Sequence, residues 1–341
     1  MKTRWVLLFV SSFALFPGRS AAQVVQTANG PVEFIGLKRW TVEMIRDTMA
    51  VKAPGQPLGQ CAAVLQEIGF PAASSNHIMN EDGTEYVVVT VVEPDDSARV
   101  RAKPPFADSL PAIQAWHEAT EIFRSKNRGF QRAVSWYGFH RGGDTTAVRE
   151  SMARARNDAA EVQQFWRFLD HHRSEADFQH AVWTLNNDGN VANRAVAAAI
   201  LGNFGHHDLT WWTLLDAQRD PIDAIAGTAQ QVLQSLVRAP KSVDWVPAQV
   251  SLRHLLNGTN VFVFAGTLDV LGKTGINPAL APTLLRNGGA DLLLAHLNAK
   301  HEAKRDAAHS FLVHLAGQDL GSDTAAWAQW IGTLLPARPS N

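Results

Sequence analysis

The chain has 341 residues, a formal net charge of −1, 46% hydrophobic residues and a single cysteine. One cysteine excludes an internal disulfide, so a chain of this length must be held by a large buried core. Near-balanced charge without a basic block excludes long-range attraction for nucleic acid or an anionic lipid surface.

Residues 1–22 read as a secretory signal peptide. Lys2 and Arg4 form a positive start, Trp5 to Phe16 an apolar run of about a dozen residues, and Ser20 and Ala22 the small residues before a cleavage point. The run falls short of the roughly 20 residues of a permanent transmembrane helix. Cleavage after Ala22 removes Lys2, Arg4 and Arg19 from 31 basic residues, leaving 28 against 32 acidic ones, a formal charge of −4. No second long apolar stretch follows. The expectation is an exported, periplasmic or secreted protein with no integral membrane segment after cleavage.

Residues 30–95 predict a small α/β domain. "PVEFIGL" begins with a short alternating strand. "WTVEMIRDTMA" is a helix with Thr41 as N-cap and Val42, Ile45 and Met49 near one face. "APGQP" breaks it, and "LGQCAAVLQEIGF" forms a second helix ending at Gly69, with Cys61 as a buried small hydrophobe. "ASSNHIM" and "TEYVVVTVVEP" are strands joined through "NEDG", the second stopped by Pro94. The order is β-α-α-β-β.

The strand entering "FIGLKRWTVEMIRD", the "APGQ" turn, the helix ending "LQEIGF" and the closing "YVVVTVVEP" resemble a POTRA domain. That family occurs in bacterial outer-membrane assembly and secretion proteins, where a helical groove and an exposed sheet edge contact polypeptides. The resemblance implies an envelope setting with a protein partner. Only one copy is present and no amphipathic β-barrel follows, so the barrel-assembly role does not transfer. An exposed strand edge is open to strand addition unless the linker covers it.

Residues 96–110 form a polar, proline-marked linker, and residues 111–336 are predominantly helical. Four segments superpose: 197–205, 229–237, 264–272 and 308–316. Aligning Leu201, Leu233, Leu268 and Leu312 gives spacings of 32, 35 and 44 residues, with shorter helices between. A paired-helix unit at that period predicts an α-solenoid. The pattern resembles HEAT repeats, most clearly where "DAQRDPIDAIAGTAQQVL" matches the family's Asp-Pro turn and long inner helix. The family's usual arginine or lysine is absent around Ala226–Gly227. "MARARNDAAEVQQFWRFLDHH" reads as an irregular capping pair. The resemblance implies a scaffold that binds partners along a concave face.

Tandem catalytic motifs are lacking: no G-x-S-x-G elbow, no phosphate-binding loop and no dinucleotide glycine fingerprint. "HEAKR" at 301–305 places Arg305 where a zinc helix needs histidine. His296 and His301, like His309 and His314, are five residues apart, which at about 100° per residue splays their side chains about 140° apart. Ala308, Phe311, Leu312 and Leu315 instead form an apolar stripe with His309 and His314 at its rim, and His296 borders the core. "LDHHRSEADFQH" and "GNFGHHDLTWW" are richer in ligand types, and imidazole with carboxylate suits zinc or non-haem iron. His171, His172, His206 and His207 are therefore the candidate metal ligands of an alternative reading. "HRGGDTT" at 140–146 is a turn with a cap at Asp144 or Thr145.

Most of the eleven tryptophans lie between Trp116 and Trp330. The adjacent Trp211 and Trp212 cannot both face one core, which makes them candidate partner-binding anchors. Asn257-Gly258-Thr259 is a glycosylation sequon. The leading expectation is a mostly α protein acting as a non-catalytic interaction scaffold, with no cofactor, no nucleic acid, and a protein or peptide partner. The alternative is a secreted metal-dependent enzyme or metal-binding protein using the four histidines.

Overall fold

The first described residues already extend the expected small domain by one strand. The computed structural model describes residues 22–79, 83–106, 110–125, 128–155, 158–286 and 288–334. Apart from Ala22, the expected signal peptide lies outside the described residues. β1 (Gln23–Thr27) pairs antiparallel with β2 (Gly30–Ile35), ahead of the strand at which the domain was expected to open. Its sequence QVVQT has two apolar residues and an exposed edge position, so it carries little hydrophobic signal.

α1 (Val42–Lys52) is capped by Thr41, whose Oγ1 accepts the Met44 N–H at 3.3 Å, and it buries Val42, Ile45 and Met49 as expected. α2 (Ala62–Glu67) follows a 3-10 turn at Leu58–Gln60. β3 (Ala72–Met79) and β4 (Glu85–Val92) complete a sheet of order β1-β2-β4-β3, with β2 and β4 parallel and both outer pairs antiparallel. Val32, Phe34, Val87, Val89 and Val91 pack on Ile45, Met49, Val64 and Leu65 of the two helices.

The opposite face of the sheet is not open to solvent. Ile35, Ala72, Val88 and Val92 belong to the core of the helical region. Burial on both faces explains why β4 reads EYVVVTVV, a nearly continuous apolar run, where a half-solvated strand would alternate. At the closest approach, a Cβ on Gly258 (φ +88°) would stand 2.5 Å from Val92 Cγ2.

The helical region starts with α3 (His117–Arg124), α4 (Arg128–Arg141), α5 (Thr145–Ala155) and α6 (Ala159–His171). Next come α7 (Glu175–Asn187), α8 (Val191–Leu201), α9 (Asp208–Ala217) and α10 (Asp223–Leu236). α11 (Gln249–Leu256), α12 (Phe264–Thr274), α13 (Ala281–Leu284), α14 (Gly289–Leu297), α15 (Glu302–Ala316) and α16 (Thr324–Leu334) complete it. The result is a mostly helical protein with a small N-terminal sheet.

Two rows of helices run through this region. α8, α10, α12 and α15 pack in sequence in one row, and α7, α9, α11 and α14 in the other. The four superposable segments fall on the first row, with Leu201, Leu233, Leu268 and Leu312 all fully buried. The longer spacing before Leu312 accommodates α13 and its flanking turns. α3 packs on α8, and α4 on α10 and α6, so the first row is covered at its N-terminal half. The α4–α10 crossing is close: a Cβ on Gly138 would lie 2.4 Å from Ser235 Oγ.

One carboxylate ties the sheet to the far end of these rows. Glu33, fully buried on β2, accepts the Lys300 N–H at 2.5 Å and the His301 N–H at 3.0 Å, and the Tyr86 hydroxyl donates to it at 3.0 Å. His301 is the N-cap of α15 and offers no side-chain cap of its own, so Glu33 supplies an anion at that helix N-terminus from another element. Glu93 plays the same part locally, accepting the N–H groups of Lys38, Arg39 and Trp40 at 2.6–3.0 Å.

Removing the Glu33 carboxylate takes the acceptor from two part-buried backbone donors and from the Tyr86 hydroxyl. Glu33→Ala is expected to lower the unfolding free energy by about 2–4 kcal/mol, and Glu33→Gln by less, in urea titrations at neutral pH. A loss below about 0.5 kcal/mol for Glu33→Ala would show that the contact carries no weight.

Candidate functional site

Of the four histidines of the metal alternative, His171, His172 and His207 make contacts within the helical region, and the His206 ring lies against His207. His171 Nδ1 donates to Arg167 O at 2.6 Å and His172 Nδ1 to Phe168 O at 2.8 Å, each folding back on the last turn of α6. The His206 and His207 rings lie 4.1 Å apart, and His207 stacks on Phe178 at 4.4 Å with Glu175 Oε2 3.6 Å from its Nε2. Burial, reinforced by His207, holds His206 below its ordinary pKa. Among the described residues, no three His, Cys, Asp or Glu side chains converge on a point that could hold a metal.

A titratable cluster lies nearby and includes Tyr137, which was not singled out from the sequence. His140 Nε2 and Asp170 Oδ2 are 2.8 Å apart, and His140 stacks on Trp166 at 4.7 Å. The Tyr137 hydroxyl reaches Asp170 and Asn203, and Arg173 contacts both Tyr137 and Asp170. Burial pushes the Tyr137 phenol up to about 12. Burial also opposes ionisation of Asp170, but hydrogen bonds from His140 and Tyr137 outweigh it and hold the carboxyl low. The cavity beside Tyr137 is about 10 Å³, no larger than one water. The cluster fastens α4, α6 and the turn after α8.

The paired tryptophans separate as their helical phase requires. Trp211 is 1% exposed, with its Nε1–H donated to Gly205 O at 2.8 Å, which places it in the core. Trp212 is half-buried and donates to Asp244 O at 2.7 Å. The more exposed ring is Trp183 of α7, at 50%. Its signal was available: α7 buries Phe178, Ala181 and Leu185, and Trp183 falls opposite that stripe. Leu209 of α9 and Val250 of α11 are also exposed, so three successive helices of one row carry an apolar group outward.

A second feature runs along the turns that join the rows. Asp188 and Asp220 are buried there. Asp188 holds the Asn193 amide at 2.7 Å, and Asp220 pairs with Arg194, which is 2% exposed. Arg194 stands six residues after Asp188, the register that Ala226 holds after Asp220. Arg194 therefore occupies in this turn the position that Ala226 holds in the next. It reaches across to the next turn.

Across these turns lies the expected linker. Because the sheet sits against α14 and α15, residues 99–106 and 110–113 lie along the turns on the way to α3. Arg99 bonds Gly288 O and Asp291 at 3.4 and 3.2 Å. The Arg101 N–H meets Thr259 Oγ1 at 3.1 Å, and the Lys103 N–H meets Arg219 O at 2.9 Å. Lys103 Nζ lies 2.9 Å from Asp216, and the Arg194 guanidinium 4.4 Å over the Phe106 ring. Asp188 and Asn193 then take the Leu110 and Ile113 N–H groups. Burial opposes ionisation of Asp216, and Lys103, Ser251 and Arg219 together hold its carboxyl low.

Two sequence motifs change meaning in this setting. The sequon asparagine, Asn257, is 4% exposed and therefore shielded from glycosylation in the folded chain, while Thr259 holds the linker. His296 lies inside the core, stacked on Phe264 at 4.6 Å, with neither ring nitrogen hydrogen-bonded.

No helix among the described residues is long and apolar enough to cross a membrane. No protein-family model, curated protein or solved structure matches this chain.

Burial pushes the His296 imidazole down to about 3, whereas an unfolded histidine titrates near 6.5. Acid therefore favours the unfolded chain. Stability from this residue is intact above pH 6.5 and falls by up to about 1.4 kcal/mol per pH unit between 6.5 and 3. Urea midpoints at pH 7 and pH 4.5 should differ less in His296→Met than in the wild type; equal differences would remove His296 from the acid response.

Proposed function

We propose that this chain is a non-catalytic interaction scaffold that works outside the cytoplasm, with a POTRA-like domain docked on a HEAT-like stack. The observation that carries this reading is the outward row α7, α9 and α11, where Trp183, Leu209 and Val250 stand exposed on consecutive helices. Large apolar side chains presented by a rigid helical layer are the anchors that protein interfaces use. The repeat reading is supported by the four leucine-bearing segments, which occupy successive places in one row. The concave route expected for a HEAT scaffold is less favoured, because α3 and α4 cover α8 and α10.

The POTRA-like domain supplies a second contact surface. β3 is an edge strand, bonded to β4 on one side, and Gln66 Nε2 takes up its Ala73 carbonyl at 2.9 Å. The export expectation rests on the signal-peptide pattern of residues 1–22.

A photo-crosslinking residue at position 183 or 250, introduced in the producing cell, should trap the same discrete partner. One at position 153, exposed on α5, should not. Absence of adducts at both outer-row positions, or identical adducts from all three, would reject the outer row as the binding face.

A further inference from the structure

The segment Arg99–Phe106 is seated on the turns as a ligand would be, and its hold has an unusual composition. No residue of 99–106 is fully buried, and its apolar hold is confined to Val100, which packs partly buried against the helical core. Its grip comes from complementary charge: Arg99 on Asp291, Lys103 on Asp216, and Phe106 under the Arg194 guanidinium. The carboxylates are partly in water, with Asp291 48% and Asp216 26% exposed at the side chain. Ion pairs of that kind are weak singly and screened by salt. Pro104 and Pro105 keep the segment out of helix and pre-extended.

The receiving side chains have partners of their own besides the linker, although Arg219 also donates to the Arg101 carbonyl at 3.3 Å. Asp216 is held by Arg219 and by the Ser251 hydroxyl at 2.6 Å, and Arg194 by Asp220. Asp188 and Asp220 each accept a backbone N–H of their own turn, from Asn190 and Ile222.

We propose that the ridge of hairpin turns is a binding groove for an extended basic peptide, occupied in cis by residues 99–106. Its recognition pattern is two cations four residues apart followed by an aromatic three residues later. A partner segment of that chemistry binds once the strap is displaced, and the strap is an internal competitor. The inference rests on the interaction-scaffold reading and names a partner class for it. The ridge and the outer row are separate surfaces, so failure here leaves the crosslinks at 183 and 250 unaffected.

The probe is a fluorescein-labelled peptide of residues 97–107, SARVRAKPPFA, read by anisotropy at low and moderate salt. The receptors are the wild type, Lys103→Ala, and Lys103→Ala with Phe106→Ala. The weakened-strap variants should bind at least tenfold more tightly than the wild type. Added salt, a composition-matched shuffled peptide, and a further Asp216→Lys substitution should each reduce that binding. Equal binding by wild type and variants, or no binding by a folded variant, overturns the proposal. So does loss of folding in both variants, which would make the strap a structural brace.

Discussion

A single buried carboxylate decides where the N-terminal sheet sits. Glu33 reaches across 267 residues of sequence to cap α15, so the domain that is first in the chain rests on helices near the end of it. Two consequences follow. The outer face of the sheet becomes an internal surface, which is why β4 is apolar on both sides. The chain must also return towards α3, and residues 99–106 lie along the turns on that way. A charge buried in this way is tolerable because three donors satisfy it, one of them at the positive end of a helix.

Much of the architecture was legible in the sequence. The leucine at each repeated position marks a buried helix face, and all four helices lie in one row. Thr41, the APGQP break and Pro94 bounded their elements through local chemistry alone. The misses share a cause: they depend on partners distant in sequence. β1 is polar because it is an edge. Glu33, between two apolar residues of "PVEFI", reads as the solvent side of a half-buried strand until the second face is known to be covered. The strap reads as a solvated linker because its charges are matched by Asp216 and Asp291, far along the chain.

The candidate site was less legible, and the reasons are angular. Histidines in close succession suggest ligation, but along α6 each closes onto a carbonyl of its own helix. Of two adjacent tryptophans only one can face the core, and sequence adjacency does not say which. Helical phase marks Trp183 as outward, although its isolation makes it less conspicuous than the Trp211–Trp212 pair. Polar groups of this protein are spent on fastening: Asp170 between helices, Asp188 and Asp220 at turns, Glu93 in the loop before α1. The surfaces proposed for a partner are the apolar outer row and the acidic ridge now covered by residues 99–106.

The central claim is that sheet and helical stack form one cooperative body joined through Glu33. Native-state hydrogen exchange tests it most directly, comparing β4 amides from Val88 to Val92 with those of α15. The account predicts that both sets exchange through the same global opening, with one free energy and one denaturant dependence. Exchange of the β4 amides through a lower-energy opening, while α15 stays protected, would contradict it.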